Sequence, residues 1–388
     1  GGYGMSAIAK IMLELGYRVS GSDVLEQDLT IKLRNKGADI FIGHDARHVH
    51  GADLVVYSTA LPRDNVEIEE AKRLQIPVIH RSEMLARLLN SRKGIAVAGT
   101  HGKTTTSSMI AYGMMEGGKD PTFIIGGEMM NAGTNAKAGK GEYIVAEADE
   151  SDGSFLQYTP SIAVITNVEP DHLENYEGDF NRLKEAYFRF LNRIKPDGLA
   201  IVCFDAPVLR EMAMGLNTKM ITYAVDREAD YRATDIRLGD RGVIFDVWER
   251  DGKLGTVELS VPGKHNVYNA MAAMIVCKSA GIPFETFRRT IKDFTGAKRR
   301  FQVLGEVNDI LIVDDYAHHP TEIRATLSAA KATGKKVIAV FQPHRYTRTF
   351  FLFEEFSRAF SDADEVIVPD IYSPAGEKRI EGVSSEKL

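Results

Sequence analysis

The stretch GTHGKTTTSS, Gly99 to Ser108, carries the residue types of a phosphate cradle: glycines around a lysine and a run of hydroxyl side chains. Glycines let backbone N–H groups close on an anion, a lysine neutralises it, and the threonine after the lysine can ligate Mg²⁺. The usual spacing is G-x-x-x-x-G-K-[ST], and counting back from Gly102 puts Val97 where the first glycine would stand. The flanking residues settle the reading. IAVA before the loop is an apolar run of strand type, and TTSSMIAYGMM after it reads as a helix. Strand, glycine turn, Lys-Thr and helix then follow in the order that phosphate binding needs. Lys103 and Thr104 are the candidate phosphate and metal contacts, with Gly99, Thr100, His101, Gly102 and Thr105 completing the loop.

Magnesium needs further oxygen ligands in near-octahedral array. Two candidates stand at the ends of other apolar runs: Glu147 closes YIVAE, and His172 follows SIAVITNVEPD. Alone, the first reads equally as a helix cap or solvated carboxylate, and the second as a hydrogen-bonded structural histidine. If their strands are parallel to IAVA, both lie on the loop's edge of the sheet, which favours metal. A second candidate site opens the chain. GGYGMS leads into AIAKIMLELG, and Asp23 follows the run YRVSGS about twenty residues later, the spacing of a dinucleotide fingerprint. Gly2, Gly4, Met5 and Ser6 would approach a diphosphate and Asp23 a ribose or base; the alternative is a glycine turn needed only for strand–helix packing.

The elements that must position these residues alternate. Short Val/Ile runs are separated by longer amphipathic stretches, the pattern of parallel sheets wrapped in helices, whose ligands collect at C-terminal strand ends. YRVSGS, DLVVYS and IPVIH form a first series. KGIAVAGT, EYIVAEAD, SIAVITN and GLAIVCF form a second, followed by an antiparallel insert over GVIFDVWERDGKLGTVELSVPG and a helix over KHNVYNAMAAMIVCKSAG. DILIVDDY, KKVIAVFQ and DEVIVPD form a third. Boundaries near residues 92 and 297 divide the chain into 1–92, 93–297 and 298–388, in keeping with two or three domains for 388 residues.

Hydrophobic residues make up 44% and charged ones 26%, and there is no apolar run near the roughly 18 residues a membrane span requires. The net charge of −6 gives no basic surface for nucleic acid, so small-molecule partners are expected. Cys203 and Cys277, each inside an apolar segment, read as buried thiols, a usage that fits the cytosol.

The segments GTHGKTTT, EADESDGSF, TNVEPDHLENY, GKHNVYNAMAA, DDYAHHPTEI and FQPHRYTRT, in this order along nearly the whole chain, resemble the alanine-adding branch of the Mur ligase family. The resemblance implies an α/β fold of three domains: a Rossmann-like N-terminal domain for a UDP-sugar, a central P-loop ATPase domain, and a Rossmann-like C-terminal domain that closes over them. GGYGMS corresponds to the last six positions of the family's G-x-G-G-x-G-M-S, and the third domain of the family continues past the position of Leu388. Both ends are therefore expected to be incomplete.

The implied reaction is phosphorylation of the lactyl carboxylate of UDP-N-acetylmuramate by ATP, then attack by the amine of L-alanine. Mg²⁺ is the implied metal, with Mn²⁺ as alternative. Lys103, Glu147 and His172 would be catalytic, with Thr104, Glu147 and His172 around metal. Asn269 resembles the adenine contact, Arg300 the arginine that reaches the ATP phosphates, Asp315 the ribose contact, and His318, Arg345 and Arg348 the L-alanine-binding group. Arginine suits a carboxylate because its planar fork binds it bidentately. Several family members carry a carbamylated lysine where this chain has Tyr187, with Lys184 nearby; the alanine-adding branch commonly lacks it. A bacterial cytoplasmic enzyme, monomeric or homodimeric and without membrane insertion, is implied. The rivals are a ligase that recycles an intact peptide onto UDP-N-acetylmuramate, a folate-type polyglutamate ligase, and a nucleotide-binding regulator.

Overall fold

The computed structural model describes residues 2–62, 64–151, 153–239, 242–373 and 377–388; Gly1, at the head of the glycine segment, and Asp152, within EADESDGSF, lie outside them. Among the described residues no helix is long and apolar enough to cross a membrane.

The strand that carries the phosphate loop, Lys93–Ala98, is exposed only at Lys93; from Gly94 to Ala98 its small and β-branched residues are buried on both faces. Such a strand belongs inside a parallel sheet covered by helices. It lies within a ten-stranded sheet, with Tyr143–Glu147 on one side and Ile162–Ile165 on the other, both parallel to it. The register sets Val97 opposite Glu147 and Ala98 opposite Ile165. The loop, the acidic segment after Tyr143 and the segment from Thr166 to His172 therefore leave the sheet side by side, at its C-terminal edge. Beyond Ile162–Ile165 the sheet continues through Leu199–Cys203, Met220–Ala224 and Tyr231–Gly239, all parallel. It then turns antiparallel through Gly242–Glu249 and Gly252–Leu259, the insert read from sequence. On the other side Thr122–Met129 is parallel and Thr134–Lys137 antiparallel. The helices Lys103–Glu116 and Lys264–Ser279 are buried on nearly every side, and both cysteines are buried free thiols.

In the first region Ser20–Asp23 pairs with Asp39–Ile42, and Val55–Tyr57 with Val78–His80, as two separate parallel pairs. The opening helix, Tyr3–Glu14, lies against the edge hairpin of the large sheet, where Lys10 Nζ meets Thr134 Oγ1 at 2.5 Å and Ala138 N–H donates to Glu14 Oε2 at 2.7 Å. In the third region the sequence pattern is only partly followed. Ile338–Val340 and Glu365–Ile367 pair in parallel, as an alternating series requires. Ile310–Asp314 instead forms an antiparallel hairpin with Gln302–Val307. Asn308 and Asp309 both adopt left-handed backbone, which a tight hairpin turn favours, and that local turn outweighs the α/β expectation. A small core of Ile323, Leu327, Val337, Phe341 and Phe356 holds the helix Pro320–Lys331 against this region.

Candidate active site

The loop is built around two glycines in left-handed backbone. Gly99 has φ +133°, and a Cβ there would fall 2.0 Å from Thr166 Oγ1; Gly102 has φ +83°, and its Cβ would fall 2.6 Å from Asn269 Oδ1. Both close approaches and both torsions exclude side chains, so the unusual spacing still yields a tight cradle. The segment after Ile162–Ile165 clamps it. Asn167 Oδ1 accepts from His101 N–H at 2.8 Å, Thr166 Oγ1 donates to the His101 carbonyl at 2.6 Å, and Glu169 N–H donates to Thr100 Oγ1 at 2.8 Å. Gly102 caps the helix Lys103–Glu116 with no side-chain bond, which leaves the first helical N–H groups to an anion.

Lys103 opens that helix. Its Nζ donates to both oxygens of Glu150, at 3.0 and 2.8 Å, and to the carbonyl of Gly99 at 2.6 Å. Burial works against its charge, but Glu150, Asp149 and Glu147 outweigh it and hold the ammonium above its ordinary pKa. Glu147 is the reverse case. Burial, the largest influence, pushes its carboxyl up against the Gly126 N–H, Lys103 and the Thr104 hydroxyl. Gly126 N–H donates to Glu147 Oε1 at 2.6 Å. Thr104 and Glu147 thus face one another as a hydroxyl and a carboxylate short of positive charge, a donor set that fits Mg²⁺.

His172 lies on the same edge, in left-handed backbone, with its Nε2 3.6 Å from Asp171 Oδ2; burial works against the charge of the nearby Asp149, but Lys103 and hydrogen bonds from Ser151 hold its carboxyl below the ordinary value. Tyr187 is fully buried, its ring 5.4 Å edge-on from Phe155, and Lys184 sits 5.1 Å over the Phe180 ring.

The other expected residues divide. Asn269 is buried beneath the loop, accepting from Thr106 Oγ1 and donating to Asn266 Oδ1, both at 3.0 Å. Asp315 accepts from the N–H groups of Phe301 and Ala317, each at 2.7 Å, so it ties the backbone of the domain linker to its own turn. Arg300 pairs with Glu322 at 3.7 Å and helps to stabilise the charge of Glu147. His318 Nδ1 donates to the Tyr316 carbonyl at 2.9 Å, and Arg348 is near enough to His318 and Asp171 to influence both. Arg345 is exposed, in left-handed backbone before the helix Tyr346–Phe351.

In the first region the helix begins at Tyr3, so Gly4, Met5 and Ser6 already lie in its first turns rather than in a preceding loop. Gly2 is its N-cap, Ser6 Oγ donates to the Tyr3 carbonyl, and a Cβ at Gly4 would come within 3.2 Å of Arg81. Asp23 ends its strand and accepts from Leu25 N–H.

Sequence reasoning missed Asp149 and Glu150 around Lys103, Gly126 behind Glu147, and the Thr166–Asn167 clamp. All of these but Gly126 stand inside the quoted segments EADESDGSF and TNVEPDHLENY, but no spacing rule says which carboxylate of such a run meets the lysine. The site can cradle a polyphosphate, hold a divalent cation beside it, and present cationic groups from the third region above both.

The Mur ligase middle domain family matches residues 97–277, the Mur ligase family catalytic domain residues 1–93, and the Mur ligase glutamate ligase domain residues 299–388. The chain is 54% identical to the UDP-N-acetylmuramate–L-alanine ligase of Pelotomaculum thermopropionicum and 51% identical to that of Carboxydothermus hydrogenoformans, in each case over 100% of this chain and 84% of the relative. Among solved structures, the UDP-N-acetylmuramate-alanine ligase of Thermotoga maritima superimposes with a TM-score of 0.82 at 32% identity, covering 96% of this chain and 84% of that one. The murein peptide ligase of Psychrobacter arcticus gives 0.72 at 28% identity, covering 95% and 88%.

Proposed function

Because the chain belongs to the Mur ligase family, with its three-domain α/β architecture, we infer that it is an ADP-forming ligase of peptidoglycan precursor synthesis that joins L-alanine to UDP-N-acetylmuramate. The observation that carries this reading is the loop itself: Lys103, Thr104 and Glu147 gathered at one sheet edge, with Arg300 reaching over from the third region. A carboxylate is a poor acylating agent, and phosphorylation supplies the leaving group. The lactyl carboxylate attacks the γ-phosphorus of ATP, the bond to the β-phosphate oxygen breaks, and ADP departs. The neutral alanine amine then adds to the acyl carbon, its nitrogen gives up one proton to solvent, and the tetrahedral adduct expels inorganic phosphate to leave an amide that keeps one N–H.

The chain's own groups position and neutralise. The N–H groups at the start of Lys103–Glu116 and the Lys103 ammonium hold the phosphates, with Lys103 exchanging Glu150 for phosphate oxygens. Thr104 and Glu147, with His172 beside them, would hold Mg²⁺ or Mn²⁺, which supplies charge neutralisation at the transferring phosphoryl group. Arg300 faces the same position. Arg348 and His318, with Arg345 at the rim, are placed to receive the alanine carboxylate; Asn269 and Asp315 support the loop and linker and present any remaining polar edge to adenine and ribose. Gly2, Gly4, Met5, Ser6 and Asp23 are assigned to the UDP-sugar. The enzyme works in the bacterial cytoplasm on small substrates, as a monomer or homodimer.

The test is ADP release from UDP-N-acetylmuramate and L-alanine, each omitted in turn. Release should require both, and Lys103→Ala should abolish it while the protein stays folded. Turnover without alanine, or a preference for an intact tripeptide over alanine, would overturn the assignment.

A further inference from the structure

Apart from the oxygen-rich position at Thr104 and Glu147, one other group of side chains among the described residues has the makings of a metal site. His101 in the loop, Glu169 in the clamp segment and His319 at the head of Pro320–Lys331 each direct one ligand atom into a common space, all within 4.8 Å of one another. His319 is only 6% exposed, and its Nε2 has no hydrogen-bond partner among the described residues. The same holds for His101 Nε2, which faces Glu169 Oε2 at 3.5 Å without the alignment of a hydrogen bond. Burial disfavours a charge on His101, but Glu169 and Glu322 raise its pKa to about 9, so a metal bound here displaces a proton from that ring.

The surroundings are those of a metal centre. His101 Nδ1 lies 3.3 Å from Glu322 Oε1, the carboxylate–histidine relay that orients metal-binding imidazoles. Glu169 Oε2 also accepts from Thr321 Oγ1 at 2.8 Å, which fixes the carboxylate. Burial, then the neighbouring His101, depresses the His319 pKa from 6.5 to about 4 against Asp171, Glu169 and Glu322, so its imidazole is neutral and able to ligate. Nitrogen, nitrogen and carboxylate oxygen are the donors of three-ligand zinc sites that keep an open position. We propose that His101, Glu169 and His319 bind one divalent cation of the Zn²⁺ class and so clip the phosphate loop to the third domain.

Donors around tetrahedral zinc stand roughly 3.3 Å apart, so the group has to contract by at most about 1.5 Å. Binding through Nε2 also asks His319 to carry its proton on Nδ1, which forfeits the long 3.3 Å bond from Thr321 N–H. Mg²⁺ is not suited to this donor set, because it prefers oxygen ligands and retained water. With the site filled, His101 is bound to the third domain through metal, and the loop opens less readily to nucleotide.

The experiment uses the full chain, stripped by a chelator and held in excess Mg²⁺, titrated with Co²⁺ as a spectroscopic probe. One equivalent should bind with the strong visible bands of tetrahedral cobalt and be displaced by Zn²⁺. His319→Ala removes a helix cap as well as a ligand, so Glu169→Gln, which leaves the cap in place, is measured beside it. Each should weaken Co²⁺ binding at least tenfold, while His172→Ala, at the nucleotide metal position, leaves it unchanged. Absence of a stoichiometric cobalt spectrum, its persistence in both variants, or its loss in His172→Ala would overturn the proposal.

Discussion

Glu150→Gln isolates the contact that sequence reasoning did not assign. Lys103 and Glu150 form a buried pair 2.8 Å apart, with side chains 17% and 2% exposed. Removing one charge from such a pair leaves the other buried without compensation, which costs about 3–5 kcal/mol. Asp149 and Glu147 still face Lys103, and glutamine keeps one acceptor, so the lower end, about 3 kcal/mol, is expected. For a domain of the size of the central region this lowers the thermal midpoint by roughly 6–12 °C. The diagnostic feature is what a ligand does next. In the parent chain a phosphate must compete with Glu150 for the ammonium; in the variant it meets an unpaired lysine and restores the missing charge. Differential scanning calorimetry with and without Mg²⁺ and a non-hydrolysable ATP analogue should therefore show a larger ligand-induced rise in the variant, by roughly 3–6 °C. An unchanged midpoint without ligand, or equal rises in both proteins, would refute the claim that phosphate and Glu150 share one lysine.

Two further outcomes are expected. A methyl group at Gly126 would come within 2.7 Å of Glu147 Oε2, so Gly126→Ala should displace the carboxylate and lower kcat/KM about 10–100-fold, with a raised Mg²⁺ requirement; an unchanged Mg²⁺ titration would separate Glu147 from the metal. His265 is buried beside Arg300, and burial first, then that charge, depresses its pKa from 6.5 to about 4. A depressed folded value means that its contribution is intact above pH 6.5 and is lost as pH falls towards 4, since the unfolded chain takes up the proton first. At about 1.4 kcal/mol per unit the loss approaches about 3 kcal/mol, and thermal melts of His265→Leu should lack that acid limb.

The local chemistry of the loop was legible in the chain itself. An apolar run, two glycines, Lys103, Thr104 and a helix are contiguous, and the backbone N–H groups of such a turn converge whatever surrounds them. The hydrophobic periodicity of Lys93–Ala98, Tyr143–Glu147 and Ile162–Ile165 was legible for the same reason, because burial on both faces leaves a continuous apolar run. Which of Glu147, Asp149 and Glu150 meets Lys103 was not. That depends on the register of one strand against the next and on how the segment after it turns back, both through-space quantities. The hairpin Gln302–Val307 with Ile310–Asp314 escaped notice because exposed Val303, Leu304 and Ile310 resemble a buried strand of an alternating series. Asn269, Asp315 and the meeting of His101 with Glu322 lie 163 and 221 residues from the partners that define them, or across a linker, so tertiary packing alone decided them. Sequence determines what a side chain can do chemically; distance and burial, which only the folded chain supplies, determine which partner makes it do so.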